Sequence, residues 1–139
     1  MENVRILEGN RYRDYRGEML FNNNFDLSPV KRMYIIQLKP NVIRAWQGHN
    51  AEHKWLMALS GKIKLNFAYR PTDKNLNEIE IQSFILSAEK PFVVHLPGAY
   101  INGFEGLTDN AVLQVFSNMT VAESEKDGYR ISLDELNWK

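Results

Sequence analysis

Cysteine is absent from the 139 residues, which excludes disulfides, a thiolate nucleophile and any zinc site built on sulfur. Histidine is scarce as well. Imidazole chemistry can come only from His49, His53 or His95. Neither charge sign dominates, with 17 basic against 17 acidic side chains. No electrostatic footprint for nucleic acid or an anionic membrane surface is therefore present. No apolar run approaches the ~20 residues of a membrane span. Met1-Glu-Asn-Val-Arg lacks the charged-then-apolar pattern of a secretory signal, so the expected location is cytoplasmic. There is no phosphate-cradling glycine loop, no Gly-x-Ser-x-Gly elbow and no carboxylate pair spaced for glycoside hydrolysis. Sustained helical periodicity is missing too.

What remains is a chain of 44% hydrophobic and 24% charged residues, ordinary for one globular domain spanning 1–139. Its apolar residues come in short alternating runs divided by turn chemistry. Val4-Arg-Ile-Leu opens the series, and Asp14-Tyr-Arg-Gly and Asn22-Asn-Asn break it. Val30 to Leu38 sets Arg32, Tyr34, Ile36 and Leu38 against Met33, Ile35 and Gln37. Glu78-Ile-Glu-Ile-Gln has a two-residue period, and Phe92-Val-Val-His-Leu, Tyr100 to Leu107 and Ala111 to Phe116 follow. Short strands at near-regular spacing predict an all-β sandwich or barrel. Ser132-Leu-Asp-Glu-Leu-Asn-Trp, with a capping residue three before Glu135, predicts a short C-terminal helix.

The stretch from Arg44 to Gly61 concentrates the polar side chains: Arg44, Gln47, His49, His53 and Lys54 lie within two expected strands. Alternation puts Gln47 and His49 on one face of the first strand. It puts His53 with Trp55, Met57 and Leu59 on one face of the second. Polar groups sharing an interior with large apolar side chains need partners, and a site is one reason to keep them.

Four blocks in order, Asp14-Tyr-Arg-Gly, Val30-Lys-Arg-Met-Tyr, Arg44-Ala-Trp-Gln-Gly-His and Leu96-Pro-Gly-Ala-Tyr-Ile-Asn-Gly-Phe, resemble those of the nucleotide-sugar-modifying cupins. These are the dTDP-4-dehydrorhamnose 3,5-epimerases and the shorter dTDP-4-keto-6-deoxyhexose 3,4-ketoisomerases. Asp127-Gly-Tyr-Arg-Ile-Ser-Leu-Asp resembles their C-terminal segment. The resemblance implies a cupin jelly-roll β-barrel, a homodimer, and a dTDP-linked sugar in the barrel mouth. The implied chemistry is proton transfer beside the 4-keto group, in the making of deoxysugars for surface polysaccharide.

The departures are informative. The family's first histidine is Gln47 here and a later one is Asn102. An amide can hold a sugar but cannot move its protons. His49 is then the principal base, with Tyr34 and Arg44 orienting the sugar or stabilising an enolate oxygen. Arg44 also suits the diphosphate, which a guanidinium reads in a bidentate way, and Lys54 could add to that cluster. Tyr100 beside Asn102 could stack on the ligand. His53 is either a second acid–base group or a buried polar residue, and His95 either contacts substrate or is a satisfied core histidine. The pattern Gln47-x-His49-x3-His53 followed by Asn102 is a poor donor set for Zn²⁺ or Fe²⁺, so neither metal nor other cofactor is expected. The competing reading is a cupin that has lost catalysis and only binds a sugar or nucleotide sugar.

Overall fold

The computed structural model describes residues 2–71 and 74–139. In chain order the strands are β1 (Arg5–Leu7), β2 (Asn10–Asp14), β3 (Gly17–Phe21), β4 (Arg32–Gln37), β5 (Ile43–His49), β6 (Lys54–Ser60), β7 (Lys62–Tyr69), β8 (Gln82–Ser87), β9 (Val93–Leu96), β10 (Tyr100–Gly106) and β11 (Val112–Ser117). One helix, α1 (Val121–Asp127), leads directly into β12 (Gly128–Arg130). Two five-stranded antiparallel sheets form, in the orders β1-β9-β6-β11-β4 and β12-β5-β10-β7-β8, and β2-β3 stands apart as a hairpin.

Alternation explains why the two sheets close on each other. Leu56, Ala58, Val94, Leu113 and Val115 project from the first sheet and Ile63, Leu65, Phe67, Tyr100 and Phe104 from the second, and all join one core. Each such burial is worth roughly 1.5–3 kcal/mol relative to exposure. The tight turn from β6 to β7 depends on Gly61, which takes φ +70 and has the Thr108 hydroxyl where a Cβ would sit. This is the jelly-roll arrangement anticipated for the chain.

Both sheets are also partly covered on their outer faces. Phe25, Val30 and Phe116 pack with Leu7, Trp55 and Val93 on the first. The C-terminal tail brings Leu133, Leu136 and Trp138 onto Trp46, Ala68, Ile101 and Ile131 of the second. The Trp46 indole donates to the Leu136 carbonyl at 2.7 Å, so the tail is fastened by a hydrogen bond as well as by apolar contact.

Two expectations need correction. The helix is not at 132–138: Ser132 and Glu135 form the anticipated capping contacts, but the chain makes only one turn there. Leu136 and Trp138 gain more by lying flat on the sheet than by continuing it. The helix that forms lies earlier, where Thr120 and Glu123 complete a capping box. Likewise, the alternation of 78–82 does not make a strand. Leu76–Glu78 is a 3₁₀ turn, β8 begins at Gln82, and Ile79 and Ile81 pack on the outer cluster.

Candidate active site

The inner faces of β4, β5 and β10 diverge at one end of the sandwich and leave a pocket of about 90 Å³. Tyr34, Arg44, Gln47, Asn102, Phe104 and Arg130 are among its lining residues. Simple alternation would put Arg44 and Gln47 on opposite faces. They share the pocket because β5 bulges: Asn102 stands opposite Gln47, the next register pair is Phe104 with Arg44, and Ala45 and Trp46 together oppose the single residue Gly103. The bulge turns both Ala45 and Trp46 to the outer cluster. Asn102 is 2% exposed and its side-chain carbonyl has no hydrogen-bond partner among the described residues. A buried acceptor left open at the wall of a pocket calls for a donor from a ligand or a water.

Beside this pocket, past Gln47, lies His49. Its ring is 2% exposed, and Nδ1 is 3.2 Å from Glu52 Oε1 and 3.9 Å from Asp127 Oδ2. The approach is off the line of a hydrogen bond, so neither ring nitrogen has a partner among the described residues. Burial, reinforced by the Lys54 charge and opposed by the two carboxylates, lowers the imidazole to about 4. His49 is therefore neutral at physiological pH and able to accept a proton.

Glu52 is the keystone of the cluster. Its Oε1 accepts from the Ser124 hydroxyl at 2.6 Å, and its Oε2 accepts from Ser117 at 2.6 Å and from Arg32 at 3.3 Å. Burial pushes this carboxyl up, but the two hydroxyls together with His49 and Lys54 outweigh burial and hold it below the usual range. Asp127 closes the group from the end of α1, accepting the backbone N–H groups of Ala51 and Glu52 at 2.9 and 2.8 Å. His49, Glu52 and Asp127 offer ligand atoms within 4.8 Å of one another, the one such group among the described residues. Each carboxylate oxygen is already engaged by hydroxyl, guanidinium or backbone donors. The arrangement suits holding an imidazole in place better than holding an ion.

Tyr34 faces inward from β4, with the Arg32 guanidinium 5.2 Å from its ring centroid. Burial raises its phenol above the ordinary value, so it remains a donor at neutral pH. Lys54 is 3% exposed and its Nζ contacts Gln47 Oε1 at 3.4 Å. Thus Tyr34, Arg44, Gln47 and Asn102 share one pocket, and His49 and Lys54 are buried against its Gln47 side.

The remaining predicted residues fall elsewhere. Since Lys54 points inward, alternation sends His53 outward together with Trp55. His53 Nδ1 meets His95 Nε2 at 2.9 Å, and His95 lies flat on Trp55 with ring centroids 4.9 Å apart. This pair sits on the outer face of the first sheet, away from His49. Tyr100 faces inward but belongs to a separate cavity with Phe67 and Tyr69, its hydroxyl donating to the Glu2 carbonyl at 3.1 Å.

Sequence reasoning gave no role to Glu52, Asp127 or Arg130. Glu52 follows His49 by three residues, and that spacing was the available signal. Asp127 and Arg130 arrive through the pairing of β12 with β5, which opposes Arg130 to Gln47 and Gly128 to His49. A three-residue strand leaves little trace in composition. Arg130 also borders a second cleft of about 280 Å³, with Arg32, Gln47 and Ser124.

No protein-family model matches the sequence, and no curated protein sequence matches it. The fold nevertheless has clear counterparts among solved structures. QdtA, a sugar 3,4-ketoisomerase from Thermoanaerobacterium thermosaccharolyticum in complex with TDP, superposes with TM-score 0.73 at 19% identity, covering 97% of this chain and 93% of that one. ChmJ, a 3'-monoepimerase from Streptomyces bikiniensis in complex with dTDP-quinovose, gives 0.79 at 17% identity, over 96% and 72% of the two chains. An epimerase, RmlC, from Legionella pneumophila in complex with dTDP-4-keto-L-rhamnose gives 0.75 at 16% identity, over 92% and 72%. The chain has the RmlC-like cupin fold shared by these dTDP-sugar isomerases and epimerases.

Proposed function

We propose that this protein is an isomerase or epimerase of a nucleotide-linked 4-keto-6-deoxy sugar, dTDP being the nucleotide carrier, and that it works by enolisation. The observation that carries the reading is the place of His49: an imidazole shut off from water, 3.2 Å from Glu52 and next to a polar pocket. For a histidine to take a proton from the carbon beside a ketone its imidazole must be unprotonated, and the transfer leaves it charged. Glu52 and Asp127 stand where an imidazolium would form and favour it. Tyr34 and Arg44 are donors for the enolate oxygen, and donors fixed in advance are worth more in a water-poor site than in bulk solvent. Gln47 and Asn102 hold the sugar hydroxyls. The small pocket admits only part of a nucleotide sugar. Arg44 and Arg130 at its wall suit the diphosphate, with Arg130 and Arg32 bordering the adjoining cleft.

A homodimer in the cytoplasm belongs to this reading. β4 is an edge strand, and its outward Met33 and Ile35 are 53% and 51% exposed, which suits burial against a second copy. No helix among the described residues is long and apolar enough to cross a membrane.

A binding cupin without catalysis is the second reading, favoured by the amides at Gln47 and Asn102. Incubation with dTDP-4-keto-6-deoxyglucose in D₂O, followed by proton NMR, separates the two. Deuterium entering beside the carbonyl, with migration or inversion, supports the enzyme. Ligand line broadening with no exchange supports the binding module.

A further inference from the structure

Enolisation alone does not say whether a carbonyl moves or a centre inverts. Moving a carbonyl to the neighbouring carbon requires a proton to pass between two carbons and another between two oxygens. His49 can serve the carbons. The oxygens need a second group that both gives and takes a proton; the amides of Gln47 and Asn102 do neither, and the Tyr34 phenol, raised by burial, holds its proton near neutrality.

Lys54 has the position for it. It faces inward from β6, opposite Leu96 of β9 and Ser117 of β11. Among the described residues its one hydrogen bond is to Gln47, an amide at the pocket wall. No carboxylate among the described residues is within ion-pair distance of it, although a buried ammonium kept for structure alone is normally paired. The charged groups that face it are Glu52 and Arg32, and the titratable one is His49; the imidazole of the adjacent strand, His95, points to the other side of the sheet. Burial, opposed by Glu52 and assisted by Arg32, lowers the ammonium to about 8. Both its charged and its neutral form are thus accessible near neutrality.

We propose that Lys54 carries the proton between the two substrate oxygens, which makes the reaction a migration of the carbonyl between adjacent sugar carbons. This rests on the isomerase reading above. In the first half, His49 takes the proton from the hydroxyl-bearing carbon, whose C–H pair becomes the carbon–carbon double bond. The carbonyl π pair takes a proton from the Lys54 ammonium, leaving an enediol, an imidazolium and a neutral amine. In the second half, the amine takes the proton of the other hydroxyl and that oxygen becomes the new carbonyl. The double-bond pair takes the His49 proton at the former carbonyl carbon. Both side chains return to their starting states, and no oxidant or reductant is consumed.

The test compares wild type, Lys54→Met and Lys54→Arg on dTDP-4-keto-6-deoxyglucose in D₂O, following solvent exchange beside the carbonyl and carbonyl position by NMR. Both variants are expected to lose migration about 10²–10³-fold, while exchange, for which Tyr34 and Arg44 still stabilise the enolate oxygen, falls no more than about tenfold. Arginine keeps the charge but does not give up its proton. If either variant moves the carbonyl at a rate within about threefold of wild type, the proposal is overturned and the isomerase reading stands. Exchange with inversion but no migration in wild type also overturns it. Wild type that neither exchanges nor migrates removes the isomerase reading itself. Should Lys54→Met fail to fold by circular dichroism, Lys54→Arg, close in volume and still cationic, carries the comparison.

Discussion

Glu52 Oε1 stands 3.2 Å from His49 Nδ1, with both side chains closed to solvent. The carboxylate is built in first, by Ser117, Ser124 and Arg32, and the imidazole is set against it. Glu52→Gln removes the charge that favours an imidazolium and leaves the serine and arginine donors facing a half-donor amide. The expected result is a fall in kcat of about 10–10²-fold and a loss of roughly 1–3 kcal/mol in urea unfolding. Loss of stability with unchanged kcat would make Glu52 purely structural.

Stability should fall on acidification through a defined window. His49 and His95 are both lowered from 6.5 to about 4 in the folded protein, by burial first and then by Lys54 and His53 respectively. Between these values the unfolded chain binds protons that the folded chain does not, so unfolding free energy declines as pH drops from about 6.5 towards 4. For the closed-off His49 the contribution is roughly 2–3 kcal/mol over that range. Urea titrations at stepped pH check it, and His49→Asn should flatten the slope.

Gly48 is the place where β12 is most easily dislodged. A Cβ there would lie 2.2 Å from the Tyr129 ring, so Gly48→Ala must push β12 and its Arg130 off β5. The expected outcome is a tenfold or greater loss of nucleotide-sugar affinity by calorimetry, with roughly 1–3 kcal/mol of destabilisation. Unchanged affinity would show that Arg130 takes no part in binding.

The outward histidines should be dispensable for turnover. His53→Gln breaks the contact with His95 on the far side of the sheet from the pocket. It is expected to leave kcat/KM within about threefold of wild type in a steady-state assay. A hundredfold loss would bring His53 back as an acid–base group.

How much of this was legible beforehand follows the physics of each element. The strand alternation of 32–38 and the breaks at 14–17 and 22–24 are local, so the sequence alone placed them. Gln47 and His49 fell on the same face for the same reason. The match of Arg44 with Gln47 was not legible, because it depends on a bulge at Ala45 and Trp46 that only the pairing of β5 with β10 reveals. The inward turn of Lys54 and outward turn of His53 were hidden because both faces of β6 are apolar, and alternation then fixes pairs without saying which side is inside. Ser132 and Glu135 carried a true capping signal that tertiary contact by Leu136 and Trp138 overrode. Glu52 and Asp127 become partners only through α1 and β12, short elements whose positions are set by what they pack against.

The central claim is that His49 removes a proton next to a ketone. Its most direct test is solvent deuterium incorporation into dTDP-4-keto-6-deoxyglucose by wild type and by His49→Asn, with binding of each measured alongside. The account predicts incorporation by wild type and a loss of at least 10²-fold in the variant, with affinity changed no more than about fivefold. Equal incorporation by the variant would contradict it.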